Sequence, residues 1–219
     1  EETGLIIPIG RTVLREACER ARDWRARQRG SRQIQMSVNL SARHFQDPCL
    51  LPDVQQALRD SGLDPWGLTL EITESMLMHR SGATLETLRA LKGLGLNLAI
   101  DDFGTGYSSL GYLQQFPIDV LKIDRTFVDA VGMEDEDPVL ARAIIALGRT
   151  LQIETVAEGI ERPEQRDGLR ALGCTFGQGF LFARPMPGAQ FAAEVLDRTF
   201  ERVTPSARAR EGALLRKRA

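Results

Sequence analysis

Leu96-Asn-Leu-Ala-Ile-Asp-Asp-Phe-Gly-Thr-Gly106 is the stretch on which the fold turns. Its apolar start, Leu96 to Ile100, predicts a strand. Asp101 and Asp102 follow where that strand ends, and Gly104 and Gly106 give the next segment the backbone freedom of a mobile loop. The same layout recurs on both sides. Ile34 to Asn39 reads as a strand ending on Asn39, and Leu68 to Ile72 as one carrying Glu71. Val120 to Ile123 carries Lys122 and leads into Asp124; Thr155 to Ala157 leads into Glu158; Phe176 to Phe182 contains Gln178. Helical periodicity covers Ile9 to Trp24, with Gly30 as its stop, and then Val54 to Leu58, Thr84 to Leu94, Leu140 to Leu151 and Glu164 to Leu172. Strand and helix alternate at roughly 30-residue intervals, which predicts βα units and a parallel sheet covered by helices. A doubly wound sheet concentrates its site at one switch point, whereas a barrel collects residues from most of its strands onto one rim. Polar residues at the ends of nearly all the strands predict the second: an α/β, TIM-barrel-like (β/α) fold with about six of the eight strands in this chain.

Composition narrows the function. The chain has 219 residues, 42% hydrophobic and 26% charged, with a formal net charge of -2. That balance gives no basic face for duplex nucleic acid. Cys18, Cys49 and Cys174 have neither disulfide-framework nor zinc-site spacing, so the expectation is a reducing, cytoplasmic setting. No apolar run is long enough to span a bilayer, so no membrane contact by this domain is expected, although a parent protein can still be membrane-anchored. Residues 1–197 are expected to form the domain, and the Arg-rich segment 198–219 to be a frayed helix or disordered tail.

Any one of the rim acids has an ordinary reading as a helix cap, a turn residue or a surface ion-pair partner. Four carboxylates converging on one rim repel one another, and such a group persists only with cations or raised pKa values. Oxygen ligands in this number point to Mg²⁺ or Mn²⁺. Asn39 adds a neutral carbonyl, and the adjacent Asp101 and Asp102 can serve two ions about 4 Å apart, the spacing that suits phosphoryl transfer. Lys122, between Leu121 and Ile123, is a lysine in an apolar strand and needs a partner or a task. By strand periodicity Asp124 shares its face and is expected to orient it. Asp102-Phe-Gly104 also matches the metal-binding triplet of protein kinases, but the chain has no His-Arg-Asp loop and no glycine-rich loop before a Val-Ala-Ile-Lys strand.

Asn39-Leu-Ser41, Glu71-Ile-Thr-Glu74, Asp101-Asp-Phe-Gly-Thr-Gly106, Lys122-Ile-Asp124, Glu158-Gly-Ile-Glu161 and Gln178-Gly179 stand in the order and spacing of EAL domains. The chain resembles that family from Glu1 to about Val195. The resemblance implies a modified TIM barrel that binds two Mg²⁺ or Mn²⁺ ions and opens cyclic di-GMP to linear pGpG in bacterial second-messenger signalling. It implies that Asn39, Glu71 and Asp101 bind one ion and that Asp101 bridges to a second, held also by Asp102 and Glu158. Lys122 then contacts the nucleophilic water, which makes Lys122 and Glu158 the catalytic pair, and Gln178 lies beside them. Glu74 and Glu161 are expected to hold the loop that runs from Gly104 through Thr105 and Gly106 to Ser109, and the end of the Glu158 strand. A homodimer through the domain is implied as well. So are two strands upstream, one bearing the Glu-Ala-Leu glutamate, so the chain is expected to begin downstream of that motif. The competing readings are a non-catalytic cyclic di-GMP receptor and an interaction module without nucleotide.

Overall fold

Six short runs of apolar and β-branched residues form strands and pair in parallel: β1 (Met36–Asn39), β2 (Leu68–Thr73), β3 (Asn97–Phe103), β4 (Val120–Ile123), β5 (Glu154–Ala157) and β6 (Phe176–Gly177). The computed structural model describes residues 4–27, 34–78, 82–106, 110–133 and 137–196. The expectations placed on Gly30, on residues 107–109 and on the tail beyond residue 197 lie outside these. Helices α1 (Ile6–Arg27), α2 (Ala42–Phe45), α3 (Leu50–Ser61), α4 (Glu74–Met78), α5 (Gly82–Gly93) and α6 (Leu110–Leu113) occupy the first half. They are followed by α7 (Arg125–Val128), α8 (Val139–Leu151), α9 (Pro163–Leu172) and α10 (Gly188–Phe191).

The strand order is β1-β2-β3-β4-β5-β6, every pair parallel. Each crossover therefore adds the next strand on the same side, with no reversal of direction. That is barrel winding, and the six strands form an open half-barrel rather than a doubly wound sheet. Register decides which side chains share a face, because residues paired across parallel strands point the same way and successive ones alternate. Val38 pairs with Leu70 and Leu70 with Leu98; Ile72 pairs with Ile100 and Ile100 with Leu121. This row faces the helices, where Leu88 and Leu91 of α5 and Ile144 and Ile145 of α8 join the same core. Leu68, Leu70 and Ile72 are wholly buried, and each such side chain contributes about 2 kcal/mol by leaving water.

The opposite row carries the polar residues, interleaved with Ala99 and Val156. Asn39 pairs with Glu71 and Glu71 with Ala99, while Thr73 pairs with Asp101 and Lys122 with Val156. At the N-terminal ends of β3 and β4 the structure is tied instead of functional: Lys92 Nζ donates to Leu96 O at 2.8 Å and pairs with Asp119 Oδ2 at 2.7 Å, and Asp119 Oδ2 also accepts from Leu98 N at 2.8 Å. Several expected strand ends move by one or two residues, and two move by three or more. β3 runs past Ile100 to Phe103, and β6 stops at Gly177 instead of reaching Phe182. A Cβ at Gly179 would lie 2.2 Å from Ile160 O, and Leu181 N donates to that same oxygen at 3.0 Å. Backbone contact with the β5–α9 loop therefore takes over where a ladder would have continued.

Candidate metal and phosphate site

Lys122 organises the concave face. Its ammonium lies 2.6 Å from Glu71 Oε2, 2.7 Å from Asp101 Oδ1 and 2.7 Å from Glu158 Oε1, joining residues from β2, β3, β4 and the end of β5. Lys122 and Glu71 are both buried, so each would be costly alone. Burial works against the ammonium, but its hydrogen bonds to Asp101, Glu158 and Glu71 outweigh that and raise its pKa above the usual lysine value. Burial pushes the Glu158 carboxyl upward, and the charges of Asp101 and Glu71 add to the push while Lys122 opposes it.

Two adjacent aspartates in a regular strand would face opposite ways. Here β3 has a bulge: Ile100 pairs with Leu121 and Phe103 with Ile123, so three steps on β3 match two on β4. Asp102 takes up the extra residue in the left-handed region, at φ 52°. A bulge re-aims side chains in this way, and it brings the Asp102 carboxylate to Asp101 and Glu158. Oxygens of Asp101, Asp102 and Glu158 all lie within 4.8 Å of one another. Burial, then the charges of Asp101 and Asp124, raise the Asp102 pKa. The Asn39 carboxamide closes the first-strand side: turned with its nitrogen towards the acids, it donates to Asp101 Oδ2 at 3.1 Å and Glu71 Oε2 at 3.3 Å.

The loop after β3 is anchored from β2. Glu74 is buried at the start of α4, and its Oε2 accepts from Gly104 N at 2.9 Å and Gly106 N at 3.2 Å. A Cβ on Gly106 would lie 2.9 Å from Glu74 Oε1, so glycine is what lets the loop come this close. Thr105 Oγ1 donates to Asp102 O at 2.8 Å, which closes the turn on itself.

Three expected site residues are placed differently from the cluster. Asp124 caps α7: its Oδ1 accepts from Thr126 N at 3.0 Å and from Thr126 Oγ1 at 2.5 Å, while the ion pairs of Lys122 go to Glu71, Asp101 and Glu158. Glu161 turns to Arg125, with Oε1 2.9 Å from Nη1. Gln178 is exposed just beyond β6, tied in by its backbone, which donates to Ala157 O at 2.8 Å and accepts from Ile160 N at 3.0 Å. The sequence reading missed Arg125 and the buried Gln165. Gln165 Oε1 accepts from Glu161 N and Arg162 N, both at 2.9 Å, and its Nε2 donates to Val128 O at 3.4 Å. The Pro163 helix start was the available signal for a cap at that position.

The donor set suits a hard divalent cation. Three carboxylates pair with a single ammonium and a fourth, Asp102, lies beside two of them; with the Asn39 amide turned back to present its oxygen to a cation, every ligand atom offered by Asn39, Glu71, Asp101, Asp102 and Glu158 is an oxygen. Among the described residues, Asp101, Asp102 and Glu158 form a group of three acids close enough to share one ion.

Comparison with known proteins places this geometry. The family model described as "EAL domain" matches residues 1–185. MucR of Pseudomonas aeruginosa, named a bifunctional diguanylate cyclase/cyclic di-GMP phosphodiesterase, is 46% identical over 195 residues, covering 89% of this chain and 28% of MucR. NbdA of the same organism, named a cyclic di-GMP phosphodiesterase, is 41% identical over 187 residues, covering 85% of this chain and 24% of NbdA. The chain thus spans about a quarter of the length of these curated relatives. A solved MucR phosphodiesterase in complex with cyclic di-GMP superposes with a TM-score of 0.82 at 46% identity, over 87% of this chain and 76% of that one. Klebsiella pneumoniae BlrP1, solved with manganese and cyclic di-GMP, gives a TM-score of 0.71 at 28% identity, over 82% and 45% of the two chains.

Proposed function

This chain belongs to the EAL domain family, and from that premise we propose that it is the phosphodiesterase domain, within residues 1–197, that hydrolyses cyclic di-GMP to linear pGpG with Mg²⁺ or Mn²⁺. The observation that carries the reading is the gathering of Glu71, Asp101 and Glu158 on Lys122 at the concave rim, with Asp102 beside Asp101 and Glu158. The names of MucR and NbdA and the nucleotide in the MucR and BlrP1 complexes support the substrate.

Asn39, Glu71, Asp101, Asp102 and Glu158 would hold the two ions. When bound, such ions supply Lewis-acid stabilisation of the charge that develops on the phosphoryl oxygens. The chain's own residues do the rest. Lys122 keeps its proton, and its three N–H donors go to Glu71, Asp101 and Glu158; the one held by Asp101 would be freed if an ion took that carboxylate as a ligand, and it would then orient the attacking water opposite the ribose 3′-oxygen. Water adds to phosphorus and gives up a proton to solvent, the P–O3′ bond breaks, the 3′-oxygen takes up a proton from solvent and leaves as the 3′-hydroxyl, and the phosphate stays on the 5′-oxygen of the linear product. Glu158 and Glu71 fix the direction of the Lys122 ammonium. Glu74 holds the Gly104–Gly106 loop, and Gln178, exposed beyond β6, would lie beside the substrate.

A homodimer through the domain belongs to the same reading. Val139 and Leu140, 56% and 58% exposed at the start of α8, give it an apolar surface, and sedimentation of the protein would show a monomer if this part is wrong. A cytoplasmic location is proposed with it; no helix among the described residues is long and apolar enough to cross a membrane. The deciding experiment incubates the intact protein with cyclic di-GMP and Mn²⁺ and resolves the products chromatographically. One equivalent of pGpG is expected, lost on chelation and restored by Mn²⁺. Tight calorimetric binding without turnover would replace the enzyme by a receptor, and absence of both would remove the nucleotide.

A further inference from the structure

Glu158 is the one acid of the cluster that sits beyond the end of its strand, where the sheet holds it by a single backbone bond and the turn that follows must hold the rest. Its amide donates to Ile123 O at 3.1 Å, and two residues later the amide of Ile160 donates to Gln178 O at 3.0 Å. Gly159 lies between these anchors in the left-handed region, at φ 68°. A Cβ there would meet Arg125 Cγ at 2.5 Å, Cβ at 2.8 Å and Cδ at 2.9 Å. The aliphatic stem of Arg125 therefore lies directly on the Gly159 backbone. Beyond it, the guanidinium reaches Glu161 Oε1 at 2.9 Å, and buried Gln165 ties Glu161 N and Arg162 N back to Val128 O.

The geometry points to Arg125 as a positioning residue for Glu158: stem across Gly159 and guanidinium on Glu161, it fastens the 158–161 turn to α7 and so holds the Glu158 carboxylate against Lys122. The exposed ion pair alone is weak. The stem does the positioning, because it fills the space through which Gly159 would otherwise swing, and a glycine at positive φ has wide freedom once that support is gone. Arg125 itself does not touch the acids around Lys122; its effect passes through the turn. That Glu158 belongs to the reacting site rests on the function proposed above.

The test uses the intact protein as wild type, Arg125→Ala and Arg125→Met, the last keeping the stem without the charge. Amide hydrogen exchange is followed at Glu158, Gly159 and Ile160, with Leu70 and Leu121 as sheet controls. Arg125→Ala is expected to speed exchange of the Ile160 amide about tenfold with the controls unchanged. In the same protein it should weaken Mn²⁺ binding about tenfold and lower kcat with KM unchanged, the usual effect of losing support behind a ligand. Arg125→Met should recover most of the protection. Unchanged exchange at Ile160, acceleration spread over the sheet controls, or wild-type Mn²⁺ affinity and kcat in Arg125→Ala would each overturn the assignment. A wild type that neither binds Mn²⁺ nor turns over would refute the proposed function instead, and the exchange comparison would still decide whether Arg125 holds the turn.

Discussion

At the scale of single residues, Lys122 and His44 make opposite wagers with charge. Lys122 is buried as a cation and is repaid by three carboxylates. Lys122→Met keeps most of the side-chain volume and leaves Glu71, Asp101 and Glu158 without their counter-charge. Removing one partner of a buried ionic group costs about 3–5 kcal/mol, so urea unfolding should show a loss in that range, and turnover should fall by at least about 100-fold. Unaltered stability would mean that the carboxylates are compensated elsewhere. His44 is buried as a neutral ring between α1 and α3, 1% exposed, with its Nε2 3.7 Å from Asp53 Oδ2. Burial lowers its pKa below 6.5, against the pull of Asp53. The folded state therefore binds its proton less readily than the unfolded chain. The stability this provides is present above about pH 6.5 and is lost as pH falls from there through the folded pKa. Urea midpoints from pH 7.5 to 5 should move against the wild type relative to His44→Gln; parallel curves would show that His44 is already charged in the fold.

At the scale of elements, the bulge in β3 is the feature with most consequence. It sets two neighbouring carboxylates on one rim by placing Asp102 at φ 52°, and a side chain in that region costs about 1–2 kcal/mol that glycine does not pay. Asp102→Gly and Asp102→Ala both delete the carboxylate, but only alanine keeps the strain. Thermal unfolding should rank the glycine variant above the alanine variant by about 1 kcal/mol. Equal stability would show that the bulge relaxes when the carboxylate goes. The sequence carried Asp101-Asp102-Phe-Gly but no sign of the extra residue, because a bulge is a mismatch with the neighbouring strand and β4 supplies half of it. β6 tells the same lesson in reverse. Phe176 to Phe182 has strand composition, yet Phe176, Phe180 and Phe182 are about half exposed, since the Ile160 backbone captures the chain at Gly179 and Leu181.

At the scale of the whole molecule, the half-barrel spends sheet stability to assemble acids from separate strands. A divalent ion that binds only the folded arrangement should return stability by mass action, about 2.7 kcal/mol at 100 times its dissociation constant. Calorimetric scans of the intact protein should therefore show a higher Tm with Mn²⁺ and a return to baseline on chelation. Ca²⁺ should support far less hydrolysis, because it prefers longer bonds and more ligands. An unmoved Tm at millimolar Mn²⁺ would remove the metal from the proposed mechanism. Periodicity determined the βα alternation, and the polar residues at strand ends determined both the barrel reading and the acids Glu71, Asp101, Asp102 and Glu158, since period and position are local properties of a chain. The Asp124 cap on α7 is local, reaching only to Thr126, whereas only the tertiary structure decided that Glu161 answers Arg125 and that Lys122 sits among three acids. Those two outcomes depend on which side chains meet across β2 to β5 and the turns after them, and such meetings are set by register and packing between segments distant in sequence.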